Sequence, residues 1–198
     1  MVTLNANRKS GIIHAYMKTI GSNIRERRQH LNLTLRSLAR KVNLSASFLS
    51  QVESDKVTPS LSSLKKISDA LNTTIGILVG EEKDMIEDPI VRVQKRKSID
   101  DANNGMEVEF LTFSHPDKLM EPMVFKMSKR AGSDMLYQHF GQEFVLVLKG
   151  RIDLVLGAKQ HTLFDGDSIY FNSSVPHAFW SVYDGVSEVL SINTPSNF

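Results

Sequence analysis

A histidine and a glutamate stand four residues apart in the stretch YQHFGQEFVLVLKG, which covers residues 137–150. His139 and Glu143 precede an apolar run that ends at Gly150, so the pair is expected beside a buried strand. An imidazole and a carboxylate can hold a catalytic metal ion, line a pocket that senses a ligand, or do neither. Because side chains alternate along a strand, Tyr137, His139 and Glu143 share one parity and are predicted to point to one interior.

The composition narrows the class of protein. The 198 residues are 41% hydrophobic and 23% charged, as in an ordinary globular protein with room for one large core or two small ones. Cysteine is absent, which excludes disulfides, thiolate metal sites and cysteine nucleophiles. The first 17 residues contain only the short apolar pair Ile12-Ile13, and no run approaches the ~18 apolar residues of a membrane helix. We therefore expect a cytoplasmic protein with neither a signal peptide nor a membrane span.

Charge is distributed unevenly along the chain. Residues 1–80 carry 12 Lys and Arg against 4 Asp and Glu, whereas residues 81–198 carry 12 against 18. The net charge of +2 therefore conceals a basic first part and an acidic second part. A basic region of this kind favours a polyanionic partner, and the acidic region is expected to do something else.

Residues 18–79 have apolar side chains at helical spacing in four short stripes, which predicts a compact helical bundle. Hydroxyl residues stand just before the predicted helices, where a side-chain oxygen can accept a free backbone N–H. The predicted N-caps are Thr34, Ser45, Ser60 and Thr74.

The segment TLRSLARKVNLSASFLSQVES, residues 34–54, is predicted to form two short helices joined by VNLS. Asn43 stands at the sharp turn, and asparagine is among the few residues other than glycine that tolerate a left-handed backbone. Leu44 then fills the angle between the helices, and Ser45 caps the second one. Small and polar residues remain on the outward side of that second helix.

Residues 20–79 resemble the helix-turn-helix domain of the phage-repressor-like XRE regulators, in the order and spacing of IGSNIRERRQHLNLTLRSLARKVNLS, LSQVES and TPSLSSLKKISDAL. Asn43 replaces the usual turn glycine of that family, and Leu35 replaces a common glutamine. The resemblance implies a five-helix bundle that binds double-stranded DNA with its third helix in the major groove. It also implies a structural Arg28–Glu53 pair that bridges the first and third helices.

The same resemblance assigns candidate DNA contacts by position. Gln51 is the most informative of them, since its amide can form a bidentate pair with adenine. The residues expected at base edges are Ser45, Ala46, Ser47 and Gln51, and those expected at phosphates are Thr34, Arg36, Lys56 and Ser60.

The acidic stretch EEKDMIEDP, residues 81–89, is predicted to be a linker. Beyond it apolar residues alternate with a period of two, which predicts a small barrel or sandwich. The run FVLVL is apolar on both faces, so one face is expected inside and the other beneath a second sheet or subunit. The predicted strands are IVRVQ, EVEFLTF, MVFKMS, EFVLVL, RIDLVL, SIYF, AFWSV and EVLSI.

Residues 107–193 resemble the cupin barrel. The first cupin motif corresponds here to YQHFGQEFVLVLKG, with Tyr137 in place of the first histidine, and the second to GDSIYFNSSVPHAFWS. The resemblance implies either a site for Zn, Fe, Mn or Ni, or an effector pocket that has lost its metal. The implied metal ligands are His139, Glu143 and His177. The implied effector pocket consists of Tyr137, His139, Glu143, Tyr170, His177 and Phe179.

Together these patterns predict a multidomain protein of α and β class. A five-helix, repressor-like helix-turn-helix bundle is followed by a cupin β-barrel of the jelly-roll type. The predicted segments are an N-terminal extension at 1–17, the DNA-binding domain at 18–80, the linker at 81–89, and a cupin domain for effector binding and dimerisation at 90–198.

Three functions fit these expectations. The leading hypothesis is a homodimeric transcriptional regulator, without enzymatic activity, that binds a near-palindromic operator and a small-molecule effector. The second is a mononuclear metal-dependent enzyme, because fosfomycin-type epoxidases also join a repressor-like helical domain to a cupin. The third is a constitutive DNA-binding protein whose barrel only dimerises. The intact basic face favours the first hypothesis, since an enzyme has no need of it.

Overall fold

The computed structural model describes residues 18–80, 89–101, 104–113, 115, 118–133 and 135–196. The predicted N-terminal extension and residues 81–88 of the predicted linker lie outside the described residues, so those boundaries stay predictions. Within the described ranges, no helix is both long and apolar enough to cross a membrane.

Five helices lie within residues 18–80, and each begins after a hydroxyl residue. The predicted N-caps at α2 to α5 are confirmed, since each hydroxyl oxygen accepts the backbone N–H three residues on. Thr19 caps the first helix in the same way, and the hydroxyl of Ser22 accepts in return from the backbone of Thr19. The helices are α1 (Ile20–His30), α2 (Leu35–Val42), α3 (Ala46–Glu53), α4 (Leu61–Ala70) and α5 (Ile75–Leu78).

The turn between α2 and α3 has the predicted conformation. Asn43 lies in the left-handed region at φ 53° and ends α2. The amide of Leu44 then donates to the carbonyl of Ala39 at 3.1 Å, which satisfies one of the free carbonyls of the helix end. A sharp, hydrogen-bonded turn therefore fixes the angle between α2 and α3.

The predicted pair of Arg28 and Glu53 is confirmed. Nε and Nη2 of Arg28 donate to the two carboxylate oxygens of Glu53 at 2.6 and 2.7 Å, and Nη1 donates to the carbonyl of Leu33 at 2.8 Å. The two side chains are only 12% and 8% exposed. A bidentate, nearly buried pair of this kind holds α3 at a set angle to α1.

A close approach of α1 to α3 explains a buried glycine in α1. A Cβ on Gly21 would lie 2.2 Å from the carbonyl oxygen of Val52 and 2.6 Å from a carboxylate oxygen of Asp55. That carboxylate accepts from the amide of Gly21 at 3.1 Å and from the hydroxyl of Thr19 at 2.7 Å. The residues just after α3 therefore anchor it to the start of α1.

Among the described residues from 89 onward, nine strands form two antiparallel sheets. The larger sheet has the order β1-β2-β3-β9-β4-β7, and the smaller has the order β6-β5-β8. The strands are β1 (Lys97–Asp101), β2 (Met106–Phe110), β3 (Glu121–Met127), β4 (Gln142–Lys149), β5 (Arg151–Leu156), β6 (Lys159–Phe164), β7 (Ser168–Asn172), β8 (His177–Ser181) and β9 (Ser187–Thr194).

Three strand predictions need correction. IVRVQ was predicted as a strand, but Val93–Lys95 is a short 3-10 helix. β1 and β6 were not predicted, and both are edge strands with few buried residues. Few of their side chains are buried, so their sequences lack the apolar alternation that marks a half-buried strand.

The two sheets face each other across a shared core. Phe125 of β3 and Phe179 of β8 meet edge to face with their ring centroids 5.3 Å apart. On β4, Val145 and Val147 are fully buried between the sheets, whereas Leu148 on the opposite face is 47% exposed. The predicted jelly roll is thus a two-sheet sandwich in the described residues, and FVLVL has one face inside as expected.

Candidate effector site and DNA-binding face

Tyr137, His139 and Glu143 face one interior, as predicted. Alternation along a single strand is not the cause, because Tyr137 and His139 lie in the loop before β4. Backbone bonds to the smaller sheet place them instead. Tyr137 and His177 exchange amide-to-carbonyl bonds at 2.7 and 2.8 Å, and the amide of His139 donates to the carbonyl of Ser173 at 2.9 Å. The loop before β4 is thereby tied to the start of β8.

Three side chains converge between the sheets. Oε2 of Glu143 lies 3.3 Å from Nε2 of His177 and 3.9 Å from Nε2 of His139. One candidate ligand atom from each residue lies within 4.8 Å of the other two. Glu143 and His177 are buried and His139 is half-buried. The structure therefore brings together the three residues that the sequence nominates as metal ligands.

The two imidazoles are oriented by backbone carbonyls. Nδ1 of His177 lies 2.9 Å from the carbonyl oxygen of Val175, and Nδ1 of His139 lies 3.2 Å from that of Phe140. A carbonyl oxygen only accepts, so each Nδ1 carries the proton and each neutral Nε2 has a lone pair turned toward Glu143. With the protons on Nδ1, two imidazole nitrogens and a carboxylate oxygen face one another as acceptors, and a cation between them would satisfy all three. A divalent metal ion fits this donor set.

A proton is the alternative cation, and the pKa values of the two histidines differ accordingly. Burial alone would lower the pKa of His177, but the hydrogen bond and charge of Glu143, together with the carbonyl of Val175, raise it above its usual value. Burial lowers the pKa of His139, and this outweighs the raising effects of Phe140 and Glu143. Without a metal, His177 is therefore the preferred protonated partner of Glu143.

A polar chain that the sequence did not reveal supports Glu143 from β9. The hydroxyl of Ser191 donates to Oε1 of Glu143 at 2.7 Å, and Nδ2 of Asn193 donates to that hydroxyl oxygen at 3.2 Å. All three residues are buried. Oδ1 of Asn193 has no hydrogen-bond partner among the described residues. Ser191 and Asn193 lie opposite Val145 and Glu143 in the pairing of β9 with β4, and sequence spacing does not predict that pairing.

A cavity of about 620 Å³ opens onto these side chains. That volume falls in the range of small-molecule binding sites, and its wall is mostly apolar, with Met123, Phe125 and Phe179 among its residues. Tyr137, His139, Glu143 and His177 also line it, as the sequence predicts. The prediction for Tyr170 is wrong, because Tyr170 is 62% exposed on the outer face of β7 while its neighbour Phe171 faces inward.

The candidate DNA-binding face is exposed along α3. Ser47, Ser50 and Gln51 are exposed, and Lys56 follows just beyond the end of the helix. Ala46 is half-buried and packs against the bundle core, which limits its reach toward a base. Arg36, Thr34 and Ser45 are exposed, but the hydroxyls of Thr34 and Ser45 already cap helices. Ser60 is half-buried at the start of α4.

Two family models match separate parts of the chain. The helix-turn-helix model matches residues 24–78, and the cupin domain model matches residues 123–193. The chain therefore joins a helix-turn-helix domain to a cupin domain, as its sequence predicts.

The chain is similar to regulators, to two of them over most of its length and to a third over about a third of it. The transcriptional regulator PuuR of Escherichia coli is 25% identical over 178 residues, which are 90% of this chain and 96% of PuuR. The immunity repressor of Bacillus phage phi105 is 42% identical over 64 residues, 32% of this chain and 44% of the repressor. A crystal structure of a helix-turn-helix family regulator from Vibrio cholerae superposes with a TM-score of 0.66 at 20% identity, covering 90% of this chain and 96% of that one.

Proposed function

We propose that this protein is a sequence-specific, DNA-binding transcriptional regulator whose cupin domain binds a small-molecule effector. The observation that supports it most directly is the exposed polar face of α3, held by the Arg28–Glu53 pair in a half of the chain with a large excess of positive charge. Cationic residues around such a helix provide attraction to phosphates, and the outward side chains provide the reading of bases.

The effector is proposed to bind in the cavity above His139, Glu143 and His177, with a divalent metal ion held by these three residues. The converging acceptor atoms support a bound cation, and Ser191 fixes the carboxylate. A metal there would supply positive charge and open coordination positions toward an anionic or neutral donor group of the effector. The residues that line the cavity would orient the effector and surround its body with an apolar wall.

The active form is proposed to be a homodimer that joins through the outer face of the larger sheet. Phe144 and Leu146 on β4 lie opposite Ile192 and Leu190 on β9, all half-buried, on the face turned away from the core. A contiguous apolar sheet face of this kind is typical of a protein interface. Leu146→Lys should convert the dimer to a monomer in sedimentation experiments, whereas Val155→Lys on the outer face of the smaller sheet should not.

The experiment that tests the proposed function is selection of genomic DNA fragments by the full-length protein, followed by footprinting. We expect a small set of fragments that share an inverted repeat whose half-sites are separated by about one helical turn. Recovery of random fragments under every effector and metal condition would refute the proposal.

A metal-dependent enzyme is the second candidate, and the cluster of His139, Glu143 and His177 is the observation that favours it. Aerobic turnover of a substrate by the iron(II)-loaded protein, abolished by Glu143→Ala, would establish that function. A regulator without enzymatic activity predicts effector binding and no turnover under the same conditions.

A further inference from the structure

One wall of the cavity belongs to the helical half of the chain. The opposite wall carries His139, Glu143 and His177 of the cupin half. Residues three and four apart on a helix share a face, so the α4 residues form a single surface turned toward the barrel. These residues are Ser60, Leu61, Ser62, Lys65, Lys66 and Asp69.

Helix α4 also rests on the barrel beside this cavity. Ser68 is 1% exposed, and a small second cleft between the halves is lined by Ser68 together with Phe110 and Glu121. Glu121 is itself buried and ion-paired with Lys118 at 2.7 Å. Helix α4 therefore borders the barrel at two places, the cavity and this small cleft.

Movement of α4 would be transmitted to the DNA-binding face. Leu64 and Ile67 of α4 are fully buried in the same core as Leu38 of α2 and Leu49 of α3. Closely packed helices of this kind move together, because their side chains interdigitate without voids. Ser60, a candidate phosphate contact, lies at the start of α4 and lines the cavity as well.

We propose that the effector site is a two-domain site, in which the ligand lies between the metal-ligand cluster of the barrel and the α4 face at Leu61, Ser62, Lys65 and Lys66. This inference rests on the proposed function and extends it. The ligand is a small molecule with an apolar body, which contacts the wall at Met123 and Phe125, and with a polar group for the histidine and glutamate cluster. Its occupancy selects one position of the helical half relative to the barrel and so changes the affinity for DNA.

The two-domain cavity is tested first without DNA, and the absence of native cysteine makes the test direct. The full-length variant Lys66→Cys/Met135→Cys carries one thiol on each wall, because both residues line the cavity. A bis-maleimide with a two-carbon spacer is expected to join the two thiols within one chain, as measured by intact mass and peptide mapping. The matched control Lys41→Cys/Met135→Cys places the first thiol on the exposed side of α2, and little cross-linking is expected there.

Coupling to DNA is tested with a covalent occupant of the cavity. Met135→Cys in the full-length protein is modified with N-phenylmaleimide, and the dissociation constant for the selected genomic fragment is compared before and after modification. A change within the range of roughly 5- to 150-fold is expected. Ala158→Cys, at the exposed turn between β5 and β6, receives the same adduct and should show less than about a twofold change.

The outcomes separate this inference from the proposed function. Equal cross-linking in the Lys66 and Lys41 variants would overturn the two-domain site, whether or not the protein binds DNA. Specific DNA binding that the Met135 adduct leaves unchanged would overturn the coupling and leave the regulator intact. Efficient Lys66–Met135 cross-linking in a protein that selects no DNA would refute the regulator and uphold the shared cavity.

Discussion

The helical and strand halves build their candidate sites from residues at very different separations along the chain. The candidate DNA contacts lie within residues 34–60, and most of them belong to two adjacent helices and their caps. The cluster of His139, Glu143 and His177 draws on both sheets and on a loop, and its support from Ser191 comes from the last strand. A surface made by one helix can be derived from local spacing, whereas a cavity requires the strand order to be known.

The two halves also differ in how a single substitution should act. In the helical half the charged groups at the centre hold the elements together, since Arg28 and Glu53 bridge two helices. In the strand half His139, Glu143 and His177 face a cavity, and the sheets around them are held by apolar side chains such as Val145 and Ile152. Loss of a central charge should therefore unfold the first half but only disable the second.

The largest effect is expected from Arg28→Met. This substitution leaves the carboxylate of Glu53 nearly buried without its partner, and the free energy of unfolding of the helical half should fall by about 3 kcal/mol. Hydrogen exchange followed by mass spectrometry would show faster exchange in α1 to α5 and unchanged exchange in β1 to β9. The exposed pair of Lys18 and Glu26 is the control, and Lys18→Met should leave the free energy of unfolding nearly unchanged because solvent screens that pair.

Glu143→Gln tests whether the strand half loses metal binding without unfolding when its central charge is removed. The substitution keeps the side-chain shape but removes the charge, and affinity for zinc should fall about 100-fold, while Ser191→Ala should lower it about tenfold through loss of orientation. Calorimetric titration of chelator-treated protein measures both. Glu107→Gln on β2 is the matched control, because Glu107 lies outside the cluster. Undiminished zinc affinity in Glu143→Gln would remove the metal site from the account.

Two substitutions should separate base reading from phosphate attraction on the DNA-binding face. Gln51→Ala should cost about 1–3 kcal/mol on the selected fragment and relax the preference at one base pair. Lys56→Ala should weaken binding to all sequences and reduce the salt slope by about one. Anisotropy titrations across a salt series measure both quantities. Equal losses on specific and random DNA for Gln51→Ala would contradict its assignment to a base edge.

The smallest effect is the pH dependence of the metal-free strand half. His177 has a raised pKa, so its stabilising attraction to Glu143 is complete below about pH 6.5 and is lost as the pH rises through the folded-state pKa. His139 has a lowered pKa, so its contribution is present above about pH 6.5 and is lost as the pH falls.

Single-histidine variants separate these two opposing trends. With chelator present, His139→Asn should lose thermal stability as the pH rises above about 6.5, and His177→Asn should lose it as the pH falls below about 6.5. Melting temperatures that change in the same direction in both variants would contradict the assignment of the proton to His177.

The sequence predicted the helical half almost completely, because its signals are local. The caps at Thr34, Ser45, Ser60 and Thr74 and the left-handed Asn43 each depend on a few neighbouring residues. In the strand half the motifs predicted the three clustered side chains. They did not predict the route of the loop that carries Tyr137 and His139, and they placed Tyr170 in the pocket although it lies outside. Those features depend on register and on backbone pairing between distant strands, which local periodicity does not contain.

The part of the cavity wall that α4 forms could not be predicted from the sequence, for a different reason. Lys65 and Lys66 look like ordinary solvated helix residues in the sequence, and only the docking of the two halves makes them part of a cavity.

The most direct test of the central claim is the affinity of the full-length protein for its selected genomic fragment relative to a shuffled fragment of the same length and at the same salt concentration. A sequence-reading α3 predicts a ratio of at least about 10³. Equal affinity for the two fragments, with or without metal and candidate effectors, would contradict the account.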